Sequence, residues 1–322
     1  RARVSRARER ASGSFTRRPS LFAPPERALP LPRTPVVCCP PDQNLPRAQR
    51  KEKRLDTIYF SRRNGYICRI IHFTAPPTME KKVILLTGAS SGIGYQTAEY
   101  LAKQGHRVYG AARRVEQIEA LAPVGVKALH LDVTSDERIE VAVAEVMRAE
   151  GRIDVLVNNA GYGSYGAVED VPIDEARRQF EVNLFGLARL VQCVLPHMRR
   201  RQSGTIINIS SMGGHFTAYF GAWYHATKYA LEAFSDALRM ETRPFGIHVA
   251  LIEPGAIKTP WGDIAADHLE ESARGGVYAP QANAAAKALR RLYRSALLSQ
   301  PTVIAKAIGR AVNARRPKTR YL

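Results

Sequence analysis

The segment AWYHATKYA, residues 222–230, sets a tyrosine and a lysine four positions apart. At 3.6 residues per turn, side chains at i and i+4 stand one above the other, so the Tyr224 phenol and the Lys228 ammonium can meet on one helix face. A nearby cation favours phenolate. The ordinary phenol pKa of roughly 10 is too high for a good base at neutral pH, and a fixed positive charge is one way to lower it. The same spacing also occurs on amphipathic helices that do no chemistry, so the pair must be weighed with the rest of the chain.

A second chemical signal is TGASSGIG at 87–94, with glycines at 88, 92 and 94. Gly88 permits a tight turn, Gly92 lets backbone approach a pyrophosphate, and Gly94 allows close helix packing. The helix behind them offers unpaired N–H groups and the positive end of its dipole. Three glycines alone are weak evidence. Their position gives them weight, because they fall in the first strand-to-helix turn of a βαβ unit.

The elements that must position these residues are visible as short β-branched runs alternating with longer helical patterns. Residues 82–87, 107–111, 126–131, 153–158, 204–210 and 247–253 read as buried strands, with helical patterns near 92–104, 115–121, 136–150, 173–201 and 222–244. Alternation of this kind predicts an α/β fold with a Rossmann-type doubly wound parallel sheet, a single domain over residues 79–322. Ligands are expected beyond the carboxyl ends of the strands.

The chain has 322 residues and a formal charge of +19, which invites a nucleic-acid reading. The excess sits at the ends. Residues 1–78 carry 17 Lys+Arg against 5 Asp+Glu, residues 281–322 carry 10 against none, and the segment between holds 21 basic and 24 acidic residues. No nucleic-acid partner is expected for the body of the chain. Residues 1–78 also hold 11 of the 20 prolines and Cys38, Cys39 and Cys68, and lack hydrophobic periodicity. Met79 is the first methionine. The segment before it is read as a disordered extension or as sequence upstream of the natural start, with an Arg-rich transit peptide as the alternative. No apolar run reaches the length of a membrane span, no metal or disulfide is indicated, and a soluble, cytoplasmic protein is expected.

The arrangement TGxxxGxG, together with NNAG (158–161), the asparagine of VNLFG (Asn183), NISS (208–211), YxxxK and the PG pair at 254–255, resembles the short-chain dehydrogenase/reductase family over about residues 81–259. The motifs come in family order, and Ser211 precedes Tyr224 by the family's 13 residues. The resemblance implies hydride transfer between a nicotinamide dinucleotide and a carbonyl or alcohol. Tyr224 is then the proton donor, Lys228 the group that lowers its pKa and holds the nicotinamide ribose, and Ser211 the hydrogen-bond donor to the substrate oxygen. Asn183 anchors a proton-relay water. Cofactor contacts fall to Gly88, Ser90, Ser91, Gly92, Ile93 and Gly94 of the glycine turn, to Asp132 and Val133 for adenine, and to Asn159, Ala160, Gly161, Pro254, Gly255 and Thr259. Asp132 can equally cap the helix beginning near Ser135.

At the end of the second strand, where an NAD enzyme usually carries Asp or Glu, stand Ala112 and Arg113. That choice favours NADP(H) over NAD(H), with Arg113 on the 2′-phosphate and Ser90 assisting, unless Arg113 is an ordinary solvated arginine. Substrate contacts are expected from Tyr162, Gly163, Met212, His215, Phe216, Phe220 and Trp261, a mostly apolar set pointing to a lipophilic ketone or alcohol such as a steroid or retinoid, although loop packing explains such residues too. NNAGYG and ISSMGG look most like the hydroxysteroid and retinol dehydrogenase-like branch. A basic amphipathic helix over 284–298, with Leu289, Leu292, Tyr293 and Ala296 on one face, is expected to be solvated, with membrane contact as the lesser alternative. The branch usually continues past PKTRYL into a seventh strand and a closing helix, so a shortened C-terminus is expected, and a homo-oligomer is implied. An NADP-binding sensor or scaffold without turnover is the alternative function, though members of that kind typically lack the tyrosine or the lysine.

Overall fold

The computed structural model describes residues 80–322. The readings of residues 1–78 and of Met79 as a start lie outside the described residues. Seven strands form one parallel sheet: β1 (Val83–Thr87), β2 (Arg107–Ala112), β3 (Val126–His130), β4 (Val155–Asn158), β5 (Gly204–Ile209), β6 (Ile247–Ile252) and β7 (Arg320–Tyr321). Their spatial order is β3-β2-β1-β4-β5-β6-β7. The central strands β1 and β5 are buried along their whole length and largely apolar because helices cover both faces, leaving no solvent side to alternate with.

Nine helices connect or follow the strands among the described residues: α1 (Gly92–Lys103), α2 (Glu116–Glu119), α3 (Asp136–Glu150), α4 (Ile173–Phe180), α5 (Gly186–Arg200), α6 (Ala222–Thr242), α7 (Trp261–Ser272), α8 (Ala279–Arg294) and α9 (Pro301–Asn313). Helices α3, α5 and α6 pack one face through Ile139, Leu190, Val194, Leu231 and Leu238. Helices α1 and α9 cover the other through Leu101, Ile304 and Ile308. The start of α3 follows from its sequence: Ser135 accepts from Arg138 N at 3.3 Å and acids fill the first turn, while Gly151 at φ +70° ends the helix.

The strand order reverses between β1 and β4, and the crevice beyond their carboxyl ends is where a doubly wound sheet binds ligands. Two departures from the sequence expectation bear on that crevice. The long helical pattern at 173–201 is broken by a π-helical turn, Glu181–Phe185, which turns Asn183 inward between α4 and α5. The seventh strand, expected past Leu322, is Arg320–Tyr321 itself, and α9 packs on α1 just before it.

The amphipathic helix expected at 284–298 instead runs from Ala279 to Arg294. Its buried positions are Ala282 and Ala286, and Ala296 falls beyond its end. Two of its basic side chains are tied to α7: Arg290 bonds Asp267 and Glu270, and Arg294 lies 3.5 Å from Asp263. Among the described residues no helix is long and apolar enough to cross a membrane.

Candidate active site

A cleft of about 700 Å³ opens at the switch point and runs from the end of β2 to the α7–α8 pair. Its floor is the glycine turn. Gly88 and Gly92 sit at φ +67° and +53°, a region that side chains with a Cβ adopt only at a cost. Ser90, Ser91, Gly92 and Ile93 line the cleft, whereas Gly94 lies behind it, where a Cβ would run into the Gly88 carbonyl and the Asn159 amide. The N-cap residue of α1, Ser91, makes no side-chain capping bond. The first N–H groups of α1 therefore face the cleft with no capping side chain, the arrangement that receives phosphate at a helix N-terminus.

The second wall is NNAG, and Thr87 joins it to the glycine turn. Thr87 Oγ1 accepts from Asn159 N and Ala160 N, both at 3.0 Å, while Asn159 Nδ2 donates to the carbonyls of Thr87 and Gly88. The motif TGxxxGxG begins with Thr87, but spacing does not reveal its role as the link to NNAG. At the far end stand Arg113, Asp132 and Val133, with Arg114 and Arg178 beside them, two arginines that motif reading missed because neither lies in a motif. Asp132 does not cap α3, since Ser135 does. Asp132 holds Thr134 through its N–H and hydroxyl at 3.0 and 2.8 Å. Burial pushes its carboxyl up, but the Thr134 bonds and the charges of Arg113 and Arg178 outweigh that and leave it below the usual range.

At the other end α6 presents Tyr224 and Lys228, both buried, toward Ser211 at the end of β5. Ser211 Oγ accepts from Gly213 N at 3.0 Å and bonds the Tyr224 phenol. Lys228 Nζ donates to the Ile209 carbonyl at 2.9 Å and lies 5.9 Å from the Tyr224 ring centre. Burial pushes the Tyr224 pKa up, opposed by the Ser211 bond, and it pushes Lys228 down to about 8, opposed by the charge of Glu232. In this buried setting loss of water moves the phenol most, and the Ser211 bond opposes it. Asn183 does not line the cleft. Its amide is engaged with Tyr162 N, Tyr162 O and Thr227 Oγ1, and Thr227 in turn donates to Tyr224 O at 2.7 Å. In this geometry Asn183 braces the NNAG loop against α6.

Of the residues expected at the substrate end, Tyr162, Met212, Phe216 and Trp261 line the cleft, as do Pro254, Gly255 and Thr259 of the cofactor set. Gly163, His215 and Phe220 do not. Gly163 lies beneath Trp261, whose indole occupies the space a side chain would need. Phe220, at φ +63°, turns away into a small core with Ala167, Ala266 and Leu269. His215 points outward, 3.3 Å from Glu253. Tyr165, absent from the sequence reading, and Tyr293, read there only as part of a helix face, complete the wall: the Trp261 ring lies 5.8 Å from Tyr165, 5.7 Å from Tyr293 and 5.1 Å from Tyr224.

The family profile described as short chain dehydrogenase matches residues 82–269, which carry every motif named above. The chain belongs to the short-chain dehydrogenase family. A probable short-chain type dehydrogenase/reductase, VdlC, of Helicobacter pylori is 38% identical over 238 residues, 74% of this chain and 86% of its own. A 3-ketodihydrosphingosine reductase of Bacteroides thetaiotaomicron is 42% identical over 186 residues, 58% of this chain and 67% of its own. Among solved structures, actinorhodin polyketide ketoreductase with NADPH matches at a TM-score of 0.63 and 32% identity, covering 75% of this chain and 95% of its own. As a short-chain dehydrogenase the chain is an oxidoreductase with a Rossmann-type sheet.

Proposed function

We propose that this short-chain dehydrogenase interconverts a lipophilic ketone or aldehyde and the corresponding alcohol with NADP(H). The observation that carries the reading is the convergence of Ser211, Tyr224 and Lys228 at one end of a cleft whose other end is a glycine-turned helix N-terminus with arginines beside it. The glycine turn fits a dinucleotide, because its backbone lies bare where side chains would fill the cradle. When bound, the dinucleotide supplies the hydride. The chain supplies the proton and the geometry. Tyr224 Oη donates to the carbonyl oxygen, or accepts from the alcohol in reverse, and the Ser211 hydroxyl bonds the same oxygen as charge develops on it. Lys228 holds the ribose and stabilises a phenolate when Tyr224 has given up its proton. Asp132, Val133, Asn159 and Thr259 line the rest of the cofactor path.

NADP(H) preference is supported by Ala112 and Arg113 at the end of β2, where a carboxylate would repel a 2′-phosphate, and by Arg114 and Arg178 nearby. A lipophilic substrate is supported by the aromatic wall of Tyr165, Trp261 and Tyr293 with Leu289 and Leu292, and by a relative named for a keto substrate. A homo-oligomer is supported by exposed apolar side chains on α3 and next to α5, Val141 and Phe185. The test is NADPH oxidation, followed by absorbance, over a panel of steroid ketones, retinal and small aromatic ketones, with Tyr224→Phe alongside. Turnover that vanishes in the variant supports the reading, and NADPH binding with no turnover on any carbonyl overturns the reductase assignment.

A further inference from the structure

Two acids are buried behind the Tyr224–Lys228 pair. Glu253 follows the end of β6 and Glu232 lies one turn beyond Lys228 on α6, at 3% and 7% exposure. Carboxylates withdrawn from water need cationic partners at close range. The permanently charged partner common to both, among the described residues, is Arg320 of β7. Its Nη2 donates to Glu232 Oε2 at 2.9 Å and to Asp236 Oδ2 at 2.8 Å, and its Nε lies 3.0 Å from Glu253 Oε1. His215 also approaches, 3.3 Å from Glu253 and 3.9 Å from Glu232. His215, Glu232 and Glu253 bring ligand-type atoms within 4.8 Å of one another, and the guanidinium already supplies the cation there.

Backbone pairing fixes this guanidinium. Strand β7 is only two residues long, yet Leu251 N donates to Thr319 O and Glu253 N to Tyr321 O, both at 2.9 Å, so the strand and the acid it neutralises are held in register. The groups that face Lys228 are Tyr224 and Glu232 from its own helix, the Ile209 carbonyl from β5, and, through Glu232, the cluster of Glu253, His215 and Arg320. Glu232 is therefore shared: it acts on Lys228 across one helical turn and on Arg320 by direct contact.

We propose that the Arg320–Glu232 ion pair is a positioning device for the Tyr224–Lys228 couple, by which the seventh strand sets the field at a lysine it never touches. The inference rests on the reading of Lys228 as a cofactor-site residue. Glu232 opposes the burial that depresses Lys228, so removing its charge makes the lysine lose its proton at lower pH. Removing Arg320 leaves Glu232 less compensated and moves the lysine the other way.

The experiment is NADPH binding to the full chain, read by quenching of tryptophan fluorescence, since Trp261 lines the cleft, and repeated across the pH range around 8 in which Lys228 titrates. Glu232→Gln should lower the midpoint at which affinity is lost by about one pH unit. Arg320→Met should raise it, Arg320→Lys should restore the parent value, and Arg320→Met added to Glu232→Gln should change nothing further, because the route runs through Glu232. Melting temperatures recorded alongside separate a structural staple, which would lower stability without moving the midpoint. A parent-like midpoint in Glu232→Gln overturns the inference, as does an Arg320→Met shift of equal size with Glu232 absent. A parent that binds no NADPH at any pH overturns the cofactor reading and the inference with it.

Discussion

Alanine at Gly92 and at Gly94 should separate binding from folding, two residues apart. Gly94 has ordinary helical backbone, but a Cβ there meets the Gly88 carbonyl and comes within 2.6 Å of Asn159 Nδ2, and these atoms belong to a turn that cannot yield without losing the bonds Asn159 makes. Overpacking against such neighbours costs about 3 kcal/mol, which for a body of this size lowers Tm by roughly 6–12 °C. Gly92 is the reverse. Its Cβ would meet only Thr259 Cγ2 at 3.3 Å, so the penalty is the left-handed φ, about 1 kcal/mol or 2–4 °C. That methyl, however, stands in the cleft where phosphate oxygens would meet the α1 N-terminus, and losing one charge-assisted bond of about 1.5–3 kcal/mol weakens NADPH roughly 10–100-fold. Thermal unfolding and a fluorescence titration with NADPH measure both quantities on the same samples. Equal Tm losses in the two variants, or a Gly92→Ala protein that binds NADPH like the parent, would refute the division of labour.

Tyr224→Phe should cut kcat by about 10²–10⁴ while leaving the NADPH dissociation constant within a few-fold, and a variant with parent turnover would remove Tyr224 as the acid. Arg113→Asp should invert the NADPH/NADH preference, with a loss of roughly 10–100-fold for NADPH; an unchanged ratio of dissociation constants would show Arg113 to be a solvated side chain. Lys228 has a folded pKa of about 8 against the ordinary 10.5. Between those values the unfolded chain holds the extra proton, so this group makes stability rise with pH, and its penalty is complete below about 8. The shift amounts to about 3 kcal/mol, less about 1 for the Ile209 carbonyl left without its partner. Lys228→Met should therefore be about 2 kcal/mol more stable than the parent at pH 7 in urea unfolding, with the margin shrinking toward pH 10; a destabilised variant at pH 7 would contradict the burial argument.

What the sequence disclosed was whatever leaves a periodic or spaced mark. Six strands were legible because each is an apolar run bounded by turn residues, and the positions of Tyr224, Lys228 and Ser211 followed once YxxxK and NISS were read as one arrangement. β7 escaped because two residues carry no alternation. Helix α7 and the first residues of α8 escaped because the buried stripe of this pair is alanine, at positions 265, 266, 282 and 286, which barely raises hydropathy. Side-chain direction was the third gap. Phe220 is lost to the cleft through a positive φ, and Gly163 through the indole above it, and neither fact is carried by residue type. The pairing of Tyr224 with Lys228 is visible in spacing, whereas the burial that moves both groups is not.

The Arg320–Glu232 bond joins residues 88 positions apart. At about 5–20 residues per second of synthesis, roughly 4–18 s pass between the appearance of the acid and that of its cation. During that interval β6 is the exposed margin of the nascent sheet, and α6 carries a buried acid, Glu232, whose guanidinium partner has yet to be made, while Asp236 has Arg239 on its own helix. A ribosome that pauses within the stretch encoding α9 lengthens the interval, so the tempo of translation there bears on how much enzyme leaves the ribosome with α6 in its final setting.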